Sequence, residues 1–180
     1  MFYLILSSIL VILFYIPYGV FLTSNEKDLL GYSTQLIYSI IVLSFIALFS
    51  NFFLPLTISY NSIFIIISLV LIIKNYDQYL NKKFLFFLII SSSIVFLLIA
   101  NSNTYRPDAG LYHFPYIKIL NDEKIILGLS NLHFRFGHIS IIQYLSAISN
   151  NFIFQFNGMV FPGAVIASAI IINFYYHIYL

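Results

Sequence analysis

Most of the side chains able to do acid–base or ionic chemistry are gathered in one short stretch. Arg106, Asp108, His113, Lys118, Asp122, Glu123, Lys124, His133, Arg135 and His138 lie within 33 residues. Asp108, with Arg106 two positions away to keep it ionised, is the candidate general base or metal ligand. Its other reading is a helix cap, because Pro107-Asp108 followed by AGLYHF is a helix start. Arg106 or Arg135 could pair with a phosphate, as guanidinium groups do. His113, His133 and His138 could surround a metal with Asp108. His133 and His138, however, stand five apart across Gly137, a spacing that fits no helical ligand pair. No metal site is expected, and the histidines are assigned hydrogen-bonding or substrate-contacting roles.

The elements that hold this stretch are legible in its apolar residues. Both LYHFPYIKIL and IILGLSNLHFRF keep a hydrophobic content that a disordered linker lacks. Connections in helical bundles run about 2–8 residues, and one as long as 101–137 is commonly functional. We therefore expect an ordered segment packed on the membrane face of a bundle. Pro115 is expected to interrupt or kink its helix after about two turns. Tyr112, Tyr116, Ile119 and Leu120 would share the face that enters the interface. Further on, Ser140, Gln143, Ser146 and Ser149 recur at every third position among Ile and Leu. That single polar stripe predicts an amphipathic helix over 139–149, lying at the interface or lining a cavity. A full crossing there would have to bury Gln143, Asn150 and Asn151.

Composition sets the solvent. Of 180 residues, 61% are hydrophobic and 8% charged, against about 45–50% and about 25% in a soluble domain. Six acids and eight Lys/Arg cannot cover a water-soluble fold of this size, so a soluble protein is excluded. A net charge of +2 is too small and too scattered for a nucleic-acid binder. With no Cys, disulfides, thiolate metal sites and a Cys nucleophile are excluded as well.

Crossing ~30 Å of hydrocarbon takes about 20 helical residues, with a range of about 17–25, and five apolar runs meet that: 2–22, 35–54, 56–73, 84–100 and 158–180. The first lacks the basic start and the small-residue cleavage site of a signal peptide and is read as a retained helix. Pro55 marks the turn of a tight hairpin between the second and third runs. With no Trp, the interfacial belt falls to Tyr3, Tyr60, Tyr79 and Tyr105. His177, deep in the last run, is expected to face the bundle interior. Lys74, Lys82 and Lys83 place 74–83 in the cytoplasm, whereas 51–61 carries no charge; 101–137 is then outside. The last run reaches Leu180 without a polar or basic anchor, from which a longer protein is expected. The reading is an all-α, polytopic integral membrane bundle of about five transmembrane helices plus an amphipathic interfacial helix. It comprises a four-helix region over 1–100, an extracytoplasmic loop with interfacial helices over 101–157, and a fifth transmembrane helix over 158–180.

The pattern DAGLYHFPYIKIL, followed after an interval by GLSNLHFRFGHIS, resembles the large outer loop of bacterial polytopic membrane proteins similar to the C-type (GT-C) glycosyltransferases. That superfamily uses lipid-phosphosugar donors and includes the protein mannosyltransferases. The resemblance covers roughly residues 100–150. It implies that Asp108 is the catalytic base or a metal ligand, and that Tyr112, His113, Asn131, His133 and Arg135 contact substrate, to which Arg106 is added from its place beside Asp108. It also implies a bacterial cytoplasmic membrane, a polyprenyl-phosphate sugar donor and a glycan or lipid acceptor; no cofactor is assigned. Two other readings stand beside it. One is a non-catalytic membrane component, a transporter fragment or assembly subunit. The runs carry none of the internal charges a transporter uses and show no inverted repeat. The other is a surface-polysaccharide polymerase or ligase.

Overall fold

The computed structural model describes residues 1–23, 27–102, 109–137 and 140–179, and among these it contains helices and turns but no strand. Helix α1, Phe2–Tyr15, passes into a 3-10 stretch over Ile16–Phe21 with Pro17 in its first turn, where a missing N–H costs nothing. Helix α2, Leu29–Asn51, starts at Asp28, whose carboxylate accepts the Gly31 N–H at 2.7 Å. It therefore begins six residues before the apolar run itself does. Thr57 caps α3, Ile58–Lys74, and Asn81 caps α5, Lys82–Ala100. A single turn, α4, Tyr76–Tyr79, lies between them. Beyond α5 come a π turn, Ala109–His113, and α6, Phe114–Asp122. Two 3-10 turns follow, then α7, Ile141–Ile148, and α8, Phe161–Tyr179.

Among the described residues, four helices are long and apolar enough to cross a membrane: Phe2–Phe21, Leu29–Asn51, Lys82–Ala100 and Gln155–Ile178. The fifth expected span yields only the 17 residues of α3. The Leu56 N–H is taken by the Leu120 carbonyl at 2.9 Å and Thr57 is spent on the cap, so α3 cannot begin sooner. Its length is about 26 Å against a core of ~30 Å. Outward faces carry large apolar side chains such as Phe45, Ile66, Ile89 and Phe174, which suggests a bilayer as the surroundings.

Inward contacts are made by small polar groups at close helix approaches. Ser91 on α5 and Ser168 on α8 share a hydrogen bond of 3.0 Å, and Ser68 on α3 donates to the Phe14 carbonyl of α1 at 2.7 Å. Such pairs give a bundle register without buried charge. At the end holding α4, Gln35 donates to the Ile16 carbonyl and to the Tyr79 hydroxyl, while Tyr32 donates to the Gln78 carbonyl. Tyr79 is thus a buried bundle residue rather than a member of the expected belt; burial pushes its phenol up to about 12, partly offset by the Gln35 bond.

The opposite end holds the α2–α3 hairpin and the segment after α5. Asn173 on α8 lies 3.3 Å from the Ser33 and Thr34 hydroxyls near the start of α2. A 3-10 stretch, Gln155–Val160, leads straight into α8, and α7 packs beside both. Tyr144, Leu145, Ala147 and Ile148 are buried there, and Tyr15 of α1 hydrogen-bonds Ser149. The stripe of Gln143, Ser146 and Ser149 faces protein, with Gln143 8% exposed. The helix expected at the interface is packed inside the bundle instead, where Gln143 bonds His113 and Ser149 meets Tyr15, while Ser140 stays exposed as its cap.

Three further expectations are corrected. Pro115 does not interrupt the helix: the π turn Ala109–His113 runs straight into α6 through a helical His113, and the winding continues to Asp122. Tyr116 and Leu120 of the supposed interfacial face are buried against the protein. His177 is exposed, not interior. It stands in the last turn of α8.

Candidate functional site

The site can be built from the main chain outward. Asn51, at the end of α2, donates to the carbonyls of Leu120 and Glu123, and Ile125 N–H donates back to the Asn51 carbonyl at 2.9 Å. Asn121, near the end of α6, donates to the Leu56 and Ala147 carbonyls. Asn150 donates to the Asn121 side-chain oxygen at 2.8 Å. Side-chain amides reading main-chain oxygens thus clasp the hairpin, α6 and α7 together. The sequence stretch around 109–137 is positioned by this clasp.

On that base the two sequence blocks meet. The Arg135 guanidinium stands 4.7 Å from the centroid of the Tyr112 ring and 5.5 Å from that of Phe134. His133 stacks on Phe134 with ring centroids 5.2 Å apart, and its other neighbour is Phe136 at 5.4 Å. Phe136 in turn contacts Tyr116 of α6. Tyr112, His133 and Arg135 therefore form one aromatic–cationic surface. His133, Arg135 and the neighbouring Asn131 are exposed. Asn131 sits in the 3-10 turn Leu129–Asn131, its N–H bonded to the Gly128 carbonyl at 2.9 Å.

His113 belongs to the same end but looks to α7. Gln143 Oε1 accepts the Ser140 N–H at 3.0 Å, which fixes the amide so that Nε2 donates to His113 Nδ1 at 3.1 Å. His133 Nδ1 likewise accepts the Arg135 N–H at 3.3 Å. Both imidazoles, when neutral, then carry their proton on Nε2 and offer it as a donor. Burial, then the hydroxyl of Tyr144 at 3.5 Å, raises the Tyr116 phenol above its ordinary range, so it stays a neutral donor. Gln143, Tyr116 and Tyr144 support the site and were not singled out for it by sequence. The capping-box pair Ser140 and Gln143 is the signal that could have found Gln143.

Asp108, Arg106 and His138 lie outside the described residues. Among those described, no group of three or more His, Asp or Glu is placed to hold a metal. Beside the aromatic surface lies a recess of about 270 Å³ walled by Tyr116, Leu120, Ile125, Leu127 and Phe136, with Lys124 at its edge.

The chain belongs to the family described as Domain of unknown function (DUF8201), which matches residues 1–179. Comparison with curated proteins and with solved structures gives no match.

Proposed function

We propose that the chain is a polytopic membrane glycosyltransferase of the bacterial cytoplasmic membrane, or part of one, acting on a polyprenyl-phosphate sugar at its extracytoplasmic face. The observation that carries the reading is the Arg135–Tyr112 contact, which joins the two sequence blocks resembling the GT-C outer loop into one exposed surface. Asp108 directly precedes the π turn that carries Tyr112 and His113. In this reading Asp108 accepts the proton of an acceptor hydroxyl as that oxygen bonds to the sugar C1. The C1–O bond to the lipid phosphate breaks, and the phosphate leaves with the bonding pair. Arg135 and Arg106 pair with that phosphate, and the imidazole Nε2–H groups of His113 and His133, with the Asn131 amide, supply neutral donors to the sugar. The apolar recess edged by Lys124 supports a donor whose head is anionic and whose tail is hydrocarbon.

The test separates base from cap. Asp108→Asn keeps a helix cap about as well as Asp but removes the base, and loss of a general base costs about 10²–10⁴-fold in rate. Glycan output in the native host, measured at matched protein level in the full-length gene product, should fall by that order. Near-normal output would leave Asp108 structural and the enzyme reading without its base.

A further inference from the structure

Two adjoining recesses at the end opposite the hairpin form a single groove. The first, about 380 Å³, is walled by Asp28, Leu29, Lys82, Lys83, Phe86 and Tyr176. The second, about 370 Å³, shares Leu29, Phe86 and Tyr176 and continues between α5 and α8 past Ile90, Ile94 and Ile172. The groove is therefore basic at its mouth and apolar along its length. Lys82 and Lys83 are exposed, and among the described residues the ion pair found is Lys118–Asp122, at the other end. Asp28 shares the mouth, its carboxylate accepting the Gly31 N–H in the α2 cap, and two lysines against this one acid leave the mouth basic.

The groove's length matters as much as its charge. Lys82 and Ile94 are twelve residues apart on α5, about 18 Å at 1.5 Å per residue. One leaflet is about half of a ~30 Å core. Exposed Phe86, Ile171 and Tyr175 border the slot, so a chain can enter sideways from the bilayer.

We infer that this groove holds an anionic phospholipid, its phosphate against Lys82 and Lys83 and one acyl chain lying between α5 and α8. Inorganic phosphate would occupy the mouth and leave the apolar slot uncovered. A second copy of the chain docked here about a two-fold axis would bring lysines towards lysines. An anionic lipid satisfies both halves of the groove, and anionic lipids populate the leaflet that lysine-rich loops face. The site is at the opposite end from the proposed transfer site and does not depend on that reading.

Native mass spectrometry of the full chain in neutral detergent tests it, with phosphatidylglycerol and phosphatidylcholine of identical acyl chains as probes. One phosphatidylglycerol should be retained per chain, roughly tenfold over phosphatidylcholine. The Lys82→Gln/Lys83→Gln double variant should bring the two lipids level, whereas Lys74→Gln, outside the groove, should leave the preference intact. Ile94→Trp, which fills the slot, should lower retention of both lipids. Equal retention by the unmodified chain, or an undiminished preference in the double lysine variant, would overturn the inference. So would displacement of the lipid by equimolar inorganic phosphate, or a dimer that Ile94→Trp converts to monomers.

Discussion

The side-chain amide of Asn61 on α3 donates to the carbonyl oxygen of Ala147 on α7 at 2.9 Å, across 86 positions of chain. The Leu56 and Asn150 carbonyls also lie 2.7 and 2.8 Å from the same amide nitrogen, whose two N–H groups are shared among the three oxygens. One fully buried side chain thus fixes where α7 ends, how the hairpin turns and how the following turn begins.

Asn61→Leu should leave the Asn150 carbonyl without its donor and the Leu56 and Ala147 carbonyls to Asn121. Each buried acceptor left unmet costs about 1–3 kcal/mol, moderated in membrane proteins by alternative partners. We expect about 1–3 kcal/mol lost in thermal or denaturant unfolding of the detergent-solubilised chain. Asn61→Asp should be worse at neutral pH, because it turns a carboxylate towards carbonyl oxygens. Asn101→Ala, whose exposed amide reaches only the Leu97 carbonyl, should stay within about 0.5 kcal/mol.

Two glycines are fixed by close approach. A Cβ on Gly158 would overlap the carbonyl of Ser149, and one on Gly19 would overlap that of Gln35. Main chain cannot step aside as a flexible side chain can. Gly158→Ala and Gly19→Ala should therefore sharply reduce folded yield, by size-exclusion profile and melting temperature. Gly163→Ala, in the first turn of α8 with open space around it, should be neutral or raise stability by up to about 1 kcal/mol.

Alkaline stability should carry a signature of Tyr79. Its folded pKa of about 12 lies above the model-peptide value of 10. A raised folded pKa means the unfolded chain releases its proton first. The contribution is whole below pH 10 and disappears as pH climbs towards 12, amounting to about 2–3 kcal/mol at most. Tyr79→Phe keeps the ring and removes this titration. Melting temperature plotted from pH 9 to 12 should fall less steeply in that variant than in the parent; parallel curves would remove Tyr79 from the account.

Orientation can be read without engineering away native thiols, since the chain has no Cys. Leu127, 88% exposed, and Leu80, 77% exposed, stand at opposite ends. An impermeant maleimide on intact cells should label Leu127→Cys, and should reach Leu80→Cys only after permeabilisation. The reverse pattern would put the Arg135–Tyr112 surface in the cytoplasm and remove the proposed donor with it.

Hydropathy located the cores of the long helices because a crossing needs nothing more than length and apolarity. Pro55 marks the hairpin in the sequence, whereas the caps Thr57 and Asp28 emerge only in the structure, and the residues after Asp28, with Gly31, Ser33 and Thr34, dilute the apolar run. The burial of α7 was hidden for a different reason. Its polar stripe reads alike for a water boundary and for a polar protein interior, and the partners that decide between them, Asn61 and Asn121, lie 86 and 26 positions from Ala147. The junction of Tyr112 with Arg135 was foreshadowed only by resemblance, since no local spacing relates two rings and a cation 20 or more positions apart.

The amide clasp also imposes an order on biogenesis. Asn51 and Asn61 leave the ribosome well before Leu120, Ala147 and Asn150, the groups that complete their bonding. In the interval the hairpin can be threaded into the bilayer but its amides must stay hydrated at the lipid headgroups, because hydrocarbon offers them nothing. The early helices therefore insert first and are locked last, when the emerging α7 folds back onto them. A ribosome stalled before Ala147 would leave a nascent chain that is membrane-integrated yet open at its hairpin, the form a quality-control protease would meet.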